Sequence, residues 1–328
     1  MTLDTSYGYC NARIKAMQTR LLPKATMTEL MQVSSLAEVT QVLEQTTYKD
    51  AFVASSTSHS GINLVLDGLQ KDFLATLQKV QAMLPKKAIA LMHAMTLEWE
   101  IADLKAIISK KALGTEVKES ELVFYSRELV SKALEAKDVA GVLDVISEKY
   151  PLAFAKKEYA EKKDFRLLLD ALDNWHCARL MEMAESLPQN DRSKALLHYK
   201  LFLQNALLVL RMKKGGYSEK EILGKLFLND NTLKQMAQAE DLPSAILVLE
   251  SAKGIEVGEK GRKLLLVEMD LEKHFYEKAR KALKLEVLSF GVVMGYLYLK
   301  TIEVANLRKI ALGKHFGIEG LMQNHLVL

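Results

Sequence analysis

The residues of this chain that could do chemistry are carboxylates and amines recurring at constant spacing. Glu100-Ile101-Ala102-Asp103-Leu104-Lys105-Ala106-Ile107 is matched 203 positions later by Glu303-Val304-Ala305-Asn306-Leu307-Arg308-Lys309-Ile310. A carboxylate works as an acid or base when burial beside a partner shifts its proton affinity. The plainer expectation for Glu100 and Glu303 is a charge pair with a basic residue such as Lys105 or Arg308, within or between helices. A partner contact is the second reading and catalysis the last.

Other chemistry is largely excluded by pattern. No GxxxxGK[ST] string occurs, and the Gly-Lys pairs Gly224-Lys225 and Gly313-Lys314 are followed by Leu226 and His315, which carry no magnesium-binding hydroxyl. GxGxxG is absent too. The seven histidines form neither HExxH nor any i, i+4 pair, and Trp175-His176-Cys177 reads as core. Ser58-His59-Ser60-Gly61 lacks the glycine of a nucleophile elbow and reads as a solvated loop. Lys156-Lys157 and Lys162-Lys163 alternate with Glu158, Glu161 and Asp164 as a solvated face. No clustered basic stripe with interleaved aromatics appears, so nucleic acid is not expected as a partner, and no cofactor or metal is expected either.

The elements that carry these residues are helical. The 328 residues are 49% hydrophobic and 26% charged, with net charge +4, and only 5 prolines and 16 glycines interrupt them. Breakers are too scarce for a turn-rich β-sandwich, so an all-α fold is expected. Cys10 and Cys177 give no disulfide framework, and Met1 to Ser6 lack a secretory pattern, so a cytoplasmic location is expected. Val287 to Leu299 is the longest uncharged apolar stretch, short of the roughly 18 residues a membrane span needs, and reads as a buried core helix.

The helices repeat with a period near 103. Ser35-Leu36, Asp138-Val139 and Asp241-Leu242 each place a capping side chain before an apolar face at offsets 3, 6 and 7. Near the end of each unit, Asp or Asn, an apolar residue, Lys and Gly recur at 0, 4, 8 and 11: Asp103 to Gly114, Asn205 to Gly216, Asn306 to Gly317. The glycine reads as a left-handed C-cap, and the lysine as a complement to its own helix dipole. Three helical units follow, 1–117, 118–217 and 218–328. Each is of single-domain size.

Tyr7-Gly8-Tyr9-Cys10-Asn11-Ala12-Arg13-Ile14-Lys15-Ala16-Met17, Trp99-Glu100-Ile101-Ala102-Asp103-Leu104-Lys105, and Gly295-Tyr296-Leu297 with Glu303-Val304-Ala305-Asn306-Leu307-Arg308 resemble the C subunit of archaeal-type (A/V-type) ATP synthases, the equivalent of the d subunit of vacuolar ATPases. The resemblance spans essentially the whole chain. It implies a funnel of three similar helical domains around a pseudo-threefold axis, seated on the proteolipid ring and receiving the central-stalk subunits D and F. Such a protein would be non-catalytic, peripheral to the cell membrane, and would couple ion transport to ATP synthesis or hydrolysis. Phe202 stands where the other units have Glu100 and Glu303, a departure from threefold equivalence. Glu100, Asp103, Lys105, Asn205, Arg211, Glu303, Asn306 and Arg308 are expected at domain junctions or the funnel wall, in contact with partners or with one another. The alternative is a helical interaction scaffold unrelated to ATPases.

Overall fold

The computed structural model describes residues 5–123, 128–187, 191–255, 264–318 and 326. Its first third holds the helices Gly8–Gln18 (α1), Lys24–Gln32 (α2), Leu36–Glu44 (α3), Lys49–Ser56 (α4), Gly61–Met83 (α5) and Lys86–Ala112 (α6). After a 3-10 turn at Glu119–Glu121 come Glu128–Glu135 (α7), Val139–Ile146 (α8), Ala153–Lys162 (α9), Arg166–Ser186 (α10) and Arg192–Lys214 (α11). Glu219–Leu223 (α12), Asn231–Gln238 (α13), Leu242–Lys253 (α14), Leu264–Leu285 (α15) and Phe290–Phe316 (α16) complete the order, with no strand among the described residues. The chain is all-α, as its scarce breakers lead one to expect.

The recurring signals act where the sequence places them. Ser35, Asp138 and Asp241 cap α3, α8 and α14 by accepting the third backbone amide of each helix, at 3.2, 2.9 and 2.8 Å. Gly114, Gly216 and Gly317 end α6, α11 and α16 at φ of +67°, +76° and +67°. The following amides close on Lys110, Met212 and Gly313 carbonyls, a left-handed turn that a Cβ would strain.

Two expectations shift at their edges. Of the loop read at Ser58-His59-Ser60-Gly61, Gly61 opens α5, and Thr57 to Ser60 separate it from α4. The buried apolar stretch begins at Phe290, after its Ser289 cap, whereas Val287 is 63% exposed. From Phe290 to Lys300 every side of α16 is covered, so the helix is apolar all round because neighbours surround it. No helix of the described residues is long and apolar enough to cross a membrane.

The long closing helix of each sequence unit packs onto the next unit. α6 lies on α7, α8 and α10; α11 lies on α13, α14 and α15; α16 lies on α2, α3 and α5. The third unit thus closes on the first, and helix α1 covers α16 and α5. Asn11 secures that closure by donating to the Val287 and Ser289 carbonyls at 2.9 Å each.

Candidate functional site

The eight residues singled out in the sequence all sit on α6, α11 or α16, the long closing helices of the three units. Glu303 is 6% exposed, and its carboxylate accepts from the Tyr48 hydroxyl at 2.7 Å, the Leu22 amide at 2.5 Å and the Lys300 ammonium at 2.9 Å. Lys300 also meets Asp72 of α5 at 2.8 Å and lies 4.1 Å from the centre of the Tyr48 ring. Burial, reinforced by Glu303, pushes the Tyr48 hydroxyl well above its ordinary range. Burial also raises the Asp72 carboxyl, with Lys300 acting against it. One lysine is therefore shared by two carboxylates and a phenol, all inside the α16 closure.

Glu100 repeats half of this arrangement. It is 2% exposed, accepts from the Tyr150 hydroxyl at 2.7 Å and pairs with Lys149. Tyr48 and Tyr150 stand 13 and 12 residues after the caps Ser35 and Asp138. At the remaining junction the glutamate is replaced by Phe202, 4% exposed, and the residue 14 after Asp241 is the buried Ile255. Carboxylate and tyrosine are lost together there, which leaves no half-satisfied polar group in the core.

Both glutamates pair with a basic residue as expected, Glu100 with Lys149 and Glu303 with Lys300, but not with the two named as examples. Lys105 pairs with Asp173 of α10 instead of Glu100, and Arg308 reaches the Glu121 carbonyl at 3.3 Å instead of Glu303. Glu303 pairs with Lys300 of its own helix, whereas Glu100, Lys105 and Arg308 reach other elements. Burial lowers the Arg308 guanidinium, with Asp103 and Glu121 acting against that. Arg211 pairs with Glu268 of α15 at 2.8 Å.

The Asp/Asn and Lys positions share a geometry that spacing alone did not reveal. Asp103 accepts the Val123 amide at 2.9 and 3.0 Å, and Asn205 accepts the Phe227 amide at 2.8 Å, so each grips the chain as it enters the next unit. Asn306 occupies the same place on α16 and is 2% exposed. The lysines stand in the last turn of their own helices, as expected, and also reach across to other helices. Lys111 donates to the Leu134 carbonyl at 2.9 Å and to that of Ala136, at the end of α7. Lys213 donates to the Ala239 carbonyl at the end of α13, and Lys314 to Met31 of α2 at 3.1 Å. Each is a C-cap supplied from the preceding unit, satisfying carbonyls that a helix end leaves unpaired.

Where α6, α11 and α16 approach one another, Lys200 pairs with Glu98 at 2.6 Å and lies 4.2 Å from the centre of the Tyr298 ring. Burial would lower the Lys200 ammonium, but Glu98 and Tyr298 together act against it and the net shift is upward. Glu98, Lys200, Lys300, Tyr48 and Tyr150 were missed in the sequence; the findable signal was the tyrosine recurring after two caps. Chemically these groups hold helices together. The Glu100 and Glu303 carboxylates are each engaged by more than one donor and that of Glu98 by Lys200, and no group of three or more His, Cys, Asp or Glu among the described residues could hold a metal ion.

The relatives of this chain match it from end to end. Residues 10–320 match the family described as ATP synthase (C/AC39) subunit. The C subunit of the A-type ATP synthase of Thermococcus onnurineus (strain NA1) is 26% identical over 94% of this chain and 86% of its own length. That of Desulfurococcus sp. (strain SY) is 25% identical over 96% and 88%, and that of Methanococcoides burtonii 24% over 99% and 95%. A match of this extent, over a fold whose recurring residues all sit at helix junctions, places the chain in the C/AC39 family of ATP synthase subunits.

Proposed function

We propose that this chain is the non-catalytic rotor component that couples the central stalk of a rotary A/V-type ATPase, subunits D and F, to the proteolipid ring at the membrane. The observation that carries the reading is the closure of three helical units on one another. Lys111, Lys213 and Lys314 each cap a helix of the next unit, the last returning to the first. A part that transmits torque needs stiffness between its two ends, and close-packed helices interlocked in this way have low compressibility. Units 1–117, 118–217 and 218–328 are in this reading the three domains of the funnel.

A funnel shape is supported by where the long helices approach. Lys87 at the start of α6 lies 5.3 Å from the Tyr7 ring centre, and Asn11 on α1 bonds the Ser289 carbonyl just before α16. A Cβ on Gly291 would lie 3.3 Å from Ser193 of α11. The starts of all three helices thus gather around the first residues of α1, while their lysine-bearing ends cap three different helices. The eight polar residues hold the domain junctions in this reading, and the chain, cytoplasmic and peripheral to the cell membrane through the complex, links ion transport to ATP synthesis or hydrolysis. The family match argues against the alternative of a scaffold unrelated to ATPases.

Co-purification tests the partners. A tagged chain is expected to bring down stalk and ring subunits and to give no salt-dependent shift with nucleic acid. Recovery of the chain without either set of subunits would overturn the reading.

A further inference from the structure

The helices can be divided into three bodies, α1 to α5, α6 to α10 and α11 to α15, with α16 inserted in the first, where it touches α1, α2, α3 and α5, while it also packs closely on α15. Two of the three joints between bodies are broad. α10 packs directly along α11, and α15 along α16 so closely that a Cβ on Gly295 would lie 2.7 Å from the Ala279 carbonyl oxygen and 2.9 Å from Leu283 Cβ. The third joint, between α5 and α6, has no comparable backbone approach.

What lies between α5 and α6 differs along their length. Phe73 and Trp99 meet edge to face with centroids 5.0 Å apart. On the side toward the Leu84-Pro85 connection is a cleft of about 220 Å³, lined by Leu74, Leu77, Gln78 and Gln81 of α5 and by Met92, His93 and Thr96 of α6. On the other side, the linker to the second unit fills the space. Its Val123 amide is held by Asp103 of α6, its Leu122 and Val123 carbonyls accept from Gln70 of α5 at 3.2 and 2.6 Å, and its Glu121 carbonyl accepts from Arg308 of α16.

We propose that the α5–α6 joint is the opening of a split collar and that the linker Glu121 to Val123 is its strap. Among the described residues the joint is closed by the Phe73–Trp99 pair, the Lys87–Tyr7 contact and a few hydrogen bonds, and such a joint opens at lower free energy than joints closed by full helix packing. Pro85 caps α6, and Leu84 before it is extended at ψ 142°, so the connection can turn without breaking a helix. The Glu100, Lys105 and Lys111 contacts keep α6 with the second body, and the Glu303, Lys300 and Lys314 contacts keep α16 with the first. Opening therefore moves whole bodies. The device follows from packing within the chain and stands whether or not the coupling reading does.

Spin-label distances on the full chain test it. Gln78→Cys with His93→Cys reports across the cleft from two exposed positions, and Glu182→Cys with Ala195→Cys reports across α10 and α11; the native Cys10 and Cys177 are buried. The α5–α6 pair is expected to show a second, longer distance component and the α10–α11 pair a single narrow one. Adding Gln70→Ala, with helix content checked by circular dichroism, is expected to enlarge the longer component. A distribution across α5 and α6 as narrow as the control overturns the proposal, and a component that Gln70→Ala leaves unchanged overturns the strap.

Discussion

The Tyr48 hydroxyl donates to the Glu303 carboxylate at 2.7 Å across 255 residues of chain. The last long helix is thereby bonded into the first unit. Glu303→Ala would leave Lys300, Tyr48 and the Leu22 amide short of an acceptor, and is expected to cost about 3–5 kcal/mol, as for other broken buried ion pairs. Tyr48→Phe removes one donor and is expected to cost about 1–3 kcal/mol. Urea unfolding of the single and double variants checks both. The two losses should fall short of additivity, because the residues share a bond.

The lysine caps give a contrast between two physical roles. Lys111→Met, Lys213→Met and Lys314→Met each remove a charged donor from a neighbouring helix end and should cost about 1.5–3 kcal/mol. The exposed Lys214, next in sequence to one of them, should tolerate the same change within about 0.5 kcal/mol. A lysine acting through its own helix dipole would instead be worth about 0.3–1 kcal/mol and would fade with salt. Unfolding in low and high salt separates the cases.

Gly295 is a packing requirement. A methyl there meets the Ala279 carbonyl and the Leu283 backbone at 2.7 and 3.0 Å, neither of which can swing away. Gly295→Ala is expected to cost about 1–3 kcal/mol as α15 and α16 are forced apart. The midpoint of thermal unfolding reads this, with Gly141→Ala, at the half-buried start of α8 where the nearest atom to a Cβ is the Ala136 Cβ at 3.3 Å, as the milder comparison.

Asp72 sets a pH dependence. Its carboxyl is raised in the fold by burial, so the folded chain binds that proton more tightly than the unfolded one. Stability contributed by this group is therefore lowest when it is ionised and grows as pH falls through its raised native value toward the ordinary 3.8. The unfolding free energy of the wild type relative to Asp72→Asn should rise as pH falls from neutrality toward the ordinary carboxylate range. A difference that is flat, or that falls, contradicts the burial argument.

Much of the scaffold was legible because local rules decide it. The caps Ser35, Asp138 and Asp241 and the turn glycines Gly114, Gly216 and Gly317 use only residues a few places away, so type and spacing suffice. The recurrence of Glu100 and Glu303, and of Lys111, Lys213 and Lys314, marked the right positions. Their partners were not legible, since Lys149, Tyr48, Asp72 and Met31 arrive from other units and each lysine already had a sufficient local explanation at its own helix end. Lys300 carried no signal at all, because a single lysine after a long apolar run looks like a helix emerging into solvent, whereas here it is 4% exposed.

The coupling claim is tested most directly by reconstituting the ATPase complex with and without this chain and following ion transport and ATP hydrolysis together. Without the chain, ATP-driven ion pumping is expected to be lost while the detached catalytic head continues to hydrolyse ATP. Pumping that persists without the chain, or hydrolysis by the isolated head that fails in its absence, would contradict a coupling role.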